Sequence, residues 1–254
     1  MSTDTLIPIL KEIFIDESST KAPLVNTQTI KEWLTQFPKH IHHFLLTETI
    51  TIFKHSYYSN KRIESLLSKF LLLLKEKEGN SVFDKITPMP VHNMKNKAHI
   101  EYCALLSKLL SAKKINKNTP KSEYPVFYYL NDFIDDEKIQ RDQIQHFMNN
   151  TELSSSTRVY VFSITHDPYE NRKEWDNLLL KEQEKYIDIV FTPVNTPKAY
   201  HSSKKARLLF SKIEMEYGPE ANSNYNNYCT YLGVNKNLAS IFTSAKNNWV
   251  PLFN

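Results

Sequence analysis

The sequence predicts an α/β fold, a mostly parallel sheet with crossover helices behind a helical N-terminal cap, and three observations carry that prediction. From Gly79 onward, short β-rich runs alternate with amphipathic segments, the pattern of parallel strands joined by helices. Before Gly79, apolar residues recur at helical spacing through most of residues 28–76. The chain has 254 residues, 41% hydrophobic and 24% charged, which supports a sizeable core and argues against wholesale disorder. The expected division is a cap over residues 1–78 and an α/β body over residues 79–254.

In the cap, Thr27 or Thr29 is placed to cap a helix running through Trp33 and Phe37, and Pro38 ends or interrupts it. A second helix follows on Phe44, Leu45, Thr47, Glu48, Ile52 and Phe53. Its ETITIF segment also has the β-branched content of a strand, but the helical spacing is preferred. A third begins at Ser59 and sets Ile63, Leu66, Leu67, Phe70 and Leu71 on one face. In the body, Pro125–Leu130, Arg158–Ile164 and Tyr186–Thr192 read as strands. Glu137–Met148, Arg172–Glu184 and Lys204–Tyr217 read as helices, Asn222–Asn227 as a loop, and Leu238–Ser244 as a late short strand.

Composition narrows the function classes. The opening stretch carries acids within its apolar run and no basic leader, so it does not read as a signal peptide. The longest apolar run, Phe70–Leu74, is too short to cross a bilayer. A cytoplasmic protein without a membrane partner is expected. Cys103 and Cys229 are far apart, with no zinc-ligand spacing around either, and read as reduced thiols. His40, His42 and His43 crowd a helix start and read as surface residues. The formal charge of +4 permits nucleic-acid contact without arguing for it. The lysine-rich segment Lys95–Lys121 reads as a solvated face or, through its interleaved Tyr102 and Tyr124, as a nucleic-acid contact.

Glycine is the sharpest compositional fact. Gly79, Gly218 and Gly233 are the three in the chain, where ordinary usage would give roughly eighteen. Phosphate-wrapping loops use positive φ angles and close main-chain approach, both of which need glycine. Neither common glycine-rich nucleotide motif can be written from these three positions.

Ligands of open parallel sheets bind beyond the carboxyl ends of the strands. The first predicted strand empties into Asn131, Asp132, Phe133, Ile134, Asp135, Asp136, Glu137 and Lys138. These acids suit sugar hydroxyls or a metal ion; equally, Asp135, Asp136 or Glu137 suits a helix cap, worth about 0.3–1 kcal/mol per charge. The second strand is followed by Thr165, His166, Asp167 and Pro168, which read as a turn more readily than as an acid–base pair. The third is followed by a loop stiffened by Pro193 and Pro197.

Three stretches carry a family likeness. They are IKEWLTQFPKHIHHFLLTETITIFKHSYYSNKRIESLL with its WLxQF-like opening, PVFYYLNDFIDDEKIQ, and YLGVNKNLASIFTSAKNNWVPLF. Together they resemble the phosphoribosyltransferase-like proteins of bacterial conflict and anti-phage defence loci, including retron-associated ones. The resemblance implies a type I phosphoribosyltransferase-like body. It implies that Asn131 and Asp132 match the pair holding ribose hydroxyls, and that Asp135 and Asp136, with Lys138 beyond, match the 5′-phosphate loop. Lys95 and Lys97 fall where a pyrophosphate loop would lie, and Asn247 and Asn248 match paired asparagines near the family's end. Mg²⁺ held by Asp132 and Asp135 is compatible with this set.

The departures change the expected activity. The first residue of the ribose pair is an asparagine, and the phosphate loop offers two carboxylates where glycine and a hydroxyl belong. A carboxylate about 4 Å from a phosphate charge is opposed by roughly 4 kcal/mol at an effective dielectric near 20, close to a thousandfold in affinity. The leading expectation is a degenerate member that binds a nucleotide-type ligand or other proteins of its defence locus. The rivals are a working enzyme at a ribosyl–phosphate or nucleotide bond, with Lys95 or Lys97 meeting phosphate, and a nucleic-acid-binding accessory protein.

Overall fold

The computed structural model describes residues 2–15, 25–79, 82–89, 97–112, 126–133, 144, 146–147, 158–165, 190–193, 210, 212–213, 215–216, 229–230, 232–234, 240–243 and 250–253. They belong to two units, Met1–Arg62 with Pro197–Asn254, and Ile63–Thr196.

The first unit begins with helix α1 (Thr3–Ile13), whose Leu6, Ile7 and Leu10 form a buried stripe continued by Phe14. Helix α2 (Thr27–Leu34) is capped by Asn26, ahead of the expected Thr27 or Thr29. The Asn26 side chain accepts from the N–H groups of Gln28 and Thr29 at 2.8 and 3.0 Å, and the Thr29 hydroxyl accepts the Asn26 N–H at 3.0 Å. This reciprocal box satisfies helix-start donors that would otherwise be orphaned. Helix α3 (Lys39–Ser56) follows Pro38 and buries Leu45, Leu46, Thr49, Ile52 and Phe53. ETITIF is therefore helical, its β-branched residues overridden by a 3.6-residue apolar period.

The two distant parts of this unit are joined by a small sheet and an aromatic core. Strand β1 (Tyr57–Tyr58) pairs in parallel with β6 (Cys229–Thr230), which pairs antiparallel with β7 (Gly233–Val234). Phe53 meets Phe14, Phe242 and Phe253 at ring separations of 5.2–5.3 Å. Ser240–Thr243, expected within a strand, forms a single helical turn, α7. Its carbonyls are taken from outside the turn: Trp33 Nε1 donates to Ile241 O at 2.8 Å, and Leu252 N–H donates to Phe242 O at 2.9 Å. The seven residues Leu238–Ser244 have no decisive period, and tertiary partners choose the conformation of Ser240–Thr243.

The second unit takes most of helix α4 (Asn60–Glu78), with Ile63, Leu66, Leu67, Phe70, Leu71 and Leu74 buried as the spacing predicts. Gly79 stops this helix. Its φ of +78° is left-handed, and its N–H closes onto Lys75 O at 2.9 Å. The expected seam near Gly79 thus coincides with a helix end, whereas the units divide at Arg62/Ile63 and Thr196/Pro197.

After the short helix α5 (Val82–Lys85) come β2 (Ile86–Pro88), helix α6 (Lys97–Ala112), β3 (Val126–Phe133), β4 (Arg158–Thr165) and β5 (Val190–Pro193). The four strands form an all-parallel sheet in the order β2-β3-β4-β5, which supports the α/β expectation. Tyr128, Tyr129, Leu130 and Val159–Phe162 are buried on both faces, as inner parallel strands require. On one face Phe70 of α4 packs on Phe162 at 5.5 Å; on the other Phe147 packs on Phe127 at 4.9 Å.

Ile144, His146 and Phe147 are helical, as are Phe210, Lys212, Ile213, Met215 and Glu216, within two of the predicted helices. The predicted helix Arg172–Glu184 and loop Asn222–Asn227 lie outside the described residues. Among the described residues, no helix is long and apolar enough to cross a membrane.

Candidate ligand-binding edge of the parallel sheet

The carboxyl ends of parallel strands share one edge, and register fixes what meets there. Asn131 lies opposite Ser163, Ser163 opposite Pro193, and Phe133 opposite Thr165. Asn131 and Asp132 therefore lie just before Phe133 closes an inner strand, beside two hydroxyl-bearing positions of β4. Thr165 and Pro193, expected to open loops, belong to strands. Lys97 is the first residue of α6. Lys95, Asp135, Asp136, Lys138, Asn247, Asn248 and His166–Pro168 lie outside the described residues.

Among the described strands the order follows the chain without reversal, so they do not form the crevice that a reversal creates in doubly wound sheets. The ladder between β2 and β3 is interrupted at this edge by a side chain. Met89 N–H donates to Tyr128 O at 2.8 Å, and the parallel register places the next rung between Leu130 N–H and Met89 O. The His99 imidazole, from the first turns of α6, stands in that rung. Its Nδ1 lies 3.0 Å from Leu130 N and its Nε2 3.3 Å from Met89 O.

The neutral ring with its proton on Nε2 serves both strands: Nδ1 accepts the Leu130 amide, and Nε2–H donates to the Met89 carbonyl. The ring is 5% exposed and stacks on Tyr129 with centroids 4.9 Å apart. Burial holds the imidazole below its ordinary value, against the opposing pull of the Leu130 and Met89 backbone groups.

Cys103 follows one turn later, with Sγ 3.5 Å from His99 Nε2. The pair superficially suits nucleophilic chemistry, but burial pushes the thiol up to about 11, and Nε2 is directed to Met89. A protonated thiol beside a neutral imidazole is not an activated nucleophile. Tyr128, hydrogen-bonded to Cys103 and Ser107, has its phenol raised by burial as well. At neutral pH His99, Cys103 and Tyr128 thus offer uncharged hydrogen-bonding groups, not an acid–base pair.

The amino end of β4 is scaffold. The carboxylate of Glu78, its side chain wholly buried, accepts from Arg158 Nη1 at 2.6 Å and from the Tyr160 hydroxyl, fastening α4 to β4. The lysine-rich segment divides differently from its expected roles. Tyr102 is 0% exposed and cannot stack a base, while Lys108 is exposed and pairs loosely with Glu64 at 3.7 Å. Tyr124 and the lysines beyond Ala112 lie outside the described residues. Of the three histidines at the start of α3, His40 and His43 are exposed and His42 is half-buried, its Nε2 2.8 Å from Phe37 O.

Sequence reasoning missed His99. Its one signal was position, on the α6 face that Ala98, Tyr102 and Leu106 bury. Comparison of the chain with protein-family models, with curated proteins and with solved structures finds no match.

Proposed function

We propose that this chain is a phosphoribosyltransferase-like protein with a degenerate anion cradle, which binds a nucleotide-type ligand by its ribose instead of transferring a phosphoribosyl group. In this reading it works in anti-phage defence beside other proteins of its locus, as the resemblance implies. The observation that carries the reading is the place of Asn131, at the carboxyl end of an inner parallel strand in register with Ser163, with Asp132 the next residue of that strand. An amide and neighbouring hydroxyl-bearing residues suit a ribose hydroxyl, and a carboxylate follows at the next position of the strand.

The same residues suit a phosphate poorly. Asp135 and Asp136 follow within a few residues, and none of Gly79, Gly218 and Gly233 falls within this stretch of the sequence. Asp132 and Asp135 would be the residues to hold Mg²⁺, whose positive charge would lessen that repulsion. The neutral state of His99, Cys103 and Tyr128 favours binding over proton transfer.

Calorimetric titration with nucleoside phosphates in Mg²⁺ tests the reading. Saturable binding, weakened about tenfold or more by Asp132→Asn and unaccompanied by pyrophosphate release, is the expected result. Turnover would assign an enzyme instead, and an absence of binding by every nucleotide would remove the proposal.

A further inference from the structure

His99 occupies a place that belongs to a backbone hydrogen bond, and this has a consequence for acid. Parallel pairing requires Leu130 N–H to meet Met89 O, and both groups are met by the imidazole instead. Only a ring with a bare Nδ1 can accept the Leu130 amide. The imidazolium carries protons on both nitrogens. Its Nδ1–H would turn to Leu130 O, which lies 3.2 Å away, and leave the Leu130 N–H facing another donor.

We propose that His99 is a proton-sensitive rung of the sheet: neutral, it ties Leu130 to Met89; protonated, it releases the Leu130 amide and loosens β3 immediately before Asn131 and Asp132. The device is local and needs no ligand. Its effect on ligand affinity rests on the binding reading above, whereas the rung itself does not.

Among the described residues, the titratable groups that meet the ring are Cys103 on its own helix and Tyr129 on β3, with Tyr128 bonded to Cys103, while Met89, the residue after β2, presents its carbonyl. Burial moves Cys103 and Tyr128 upward, away from the acid range, so neither exchanges a proton with His99 as pH falls. The direction of the linkage follows. The folded state disfavours the charged ring relative to the ordinary 6.5, so its tie is complete above that value and is lost as pH falls below it.

Amide hydrogen exchange on the whole chain, corrected for intrinsic rates, tests the rung without ligand. As pH falls from about 7.5 through the titration of the His99 ring, followed by ¹⁵N, the Leu130 amide should lose about tenfold or more of its protection. At the upper pH the ring nitrogens should report a bare Nδ1 and a protonated Nε2. In His99→Gln, whose amide both accepts and donates without titrating, Leu130 protection should be flat over the same range. Unchanged wild-type protection, a protonated Nδ1 at the upper pH, or an equal loss in His99→Gln would each overturn the proposal. The two wild-type readings stand even if the variant fails to fold. Loss of nucleotide affinity at low pH, measured separately, connects the rung to the site.

Discussion

Gln36 hydrogen-bonds both peptide groups of Val250, its Nε2 donating to the carbonyl at 2.8 Å and its Oε1 accepting the N–H at 2.6 Å. One primary amide thereby does for the late segment what a neighbouring strand would do. Trp33, one turn earlier, holds Ile241 O, and Phe253 enters the ring cluster of Phe14 and Phe53. The WLxQF-like opening and the late stretch, singled out separately in the sequence, meet in one core.

Removing that amide should loosen the core. Gln36→Ala leaves the N–H and C=O of Val250 without their side-chain partner, at a cost of about 1–3 kcal/mol. Gln36→Glu should also destabilise at neutral pH, since a carboxylate cannot donate to Val250 O. Urea midpoints of the three proteins check both statements, and a Gln36→Glu midpoint equal to wild type would refute the second.

The Glu78–Arg158–Tyr160 group predicts an asymmetry. Arg158→Met leaves a wholly buried carboxylate with one fewer donor and should cost about 3–5 kcal/mol. Glu78→Gln should cost less, because the Arg158 side chain is 37% exposed and water can replace the lost partner. Reversal of that order in chemical denaturation would contradict the scaffold role.

Thr49 is a place where stability can be gained. Among the described residues its buried hydroxyl oxygen has no hydrogen-bond partner, unlike Thr47 and Thr51, whose hydroxyls donate to carbonyls one turn back. Thr49→Val keeps the branched shape and removes the orphan polar atom, so it should stabilise by about 1 kcal/mol and raise Tm by about 2–4 °C. A fall in Tm would mean that the hydroxyl is satisfied in solution.

Neither cysteine should behave as a reactive thiol. Cys103 is raised to about 11 and Cys229 well above its ordinary value, both by burial. In the folded protein near pH 8, alkylation should be about a hundredfold slower than for an exposed thiol, recovering in denaturant. Rapid labelling of Cys103 in the native chain would reopen the nucleophile reading that its geometry with His99 suggests.

What the sequence made legible, and what it did not, follows from the range of the forces involved. Ile63, Leu66, Leu67, Phe70 and Leu71 announce their helix because periodicity is local. The runs at Val126–Leu130 and Arg158–Ile164 announce buried strands for the same reason. Ser240–Thr243 was misread because Trp33, about two hundred residues away, takes one of its carbonyls. The units escaped notice because Tyr57 pairs with Cys229 across most of the chain. His99 was invisible because nothing in ALA-HIS-ILE records that a ladder opens beside it. Of the expected binding set, Asn131 and Asp132 reached the strand edge; most of the others lie outside the described residues.

The proposed function makes one central claim, that carboxylates and absent glycines leave a phosphoribosyltransferase-like anion cradle unable to hold phosphoribosyl diphosphate. Titration of the whole chain with phosphoribosyl diphosphate, first in a chelator and then in Mg²⁺, measures this directly. The claim predicts no saturable binding in the chelator, with any affinity appearing only when the cation is supplied and falling with Asp132→Asn. Tight binding in the chelator that survives Asp132→Asn would contradict it.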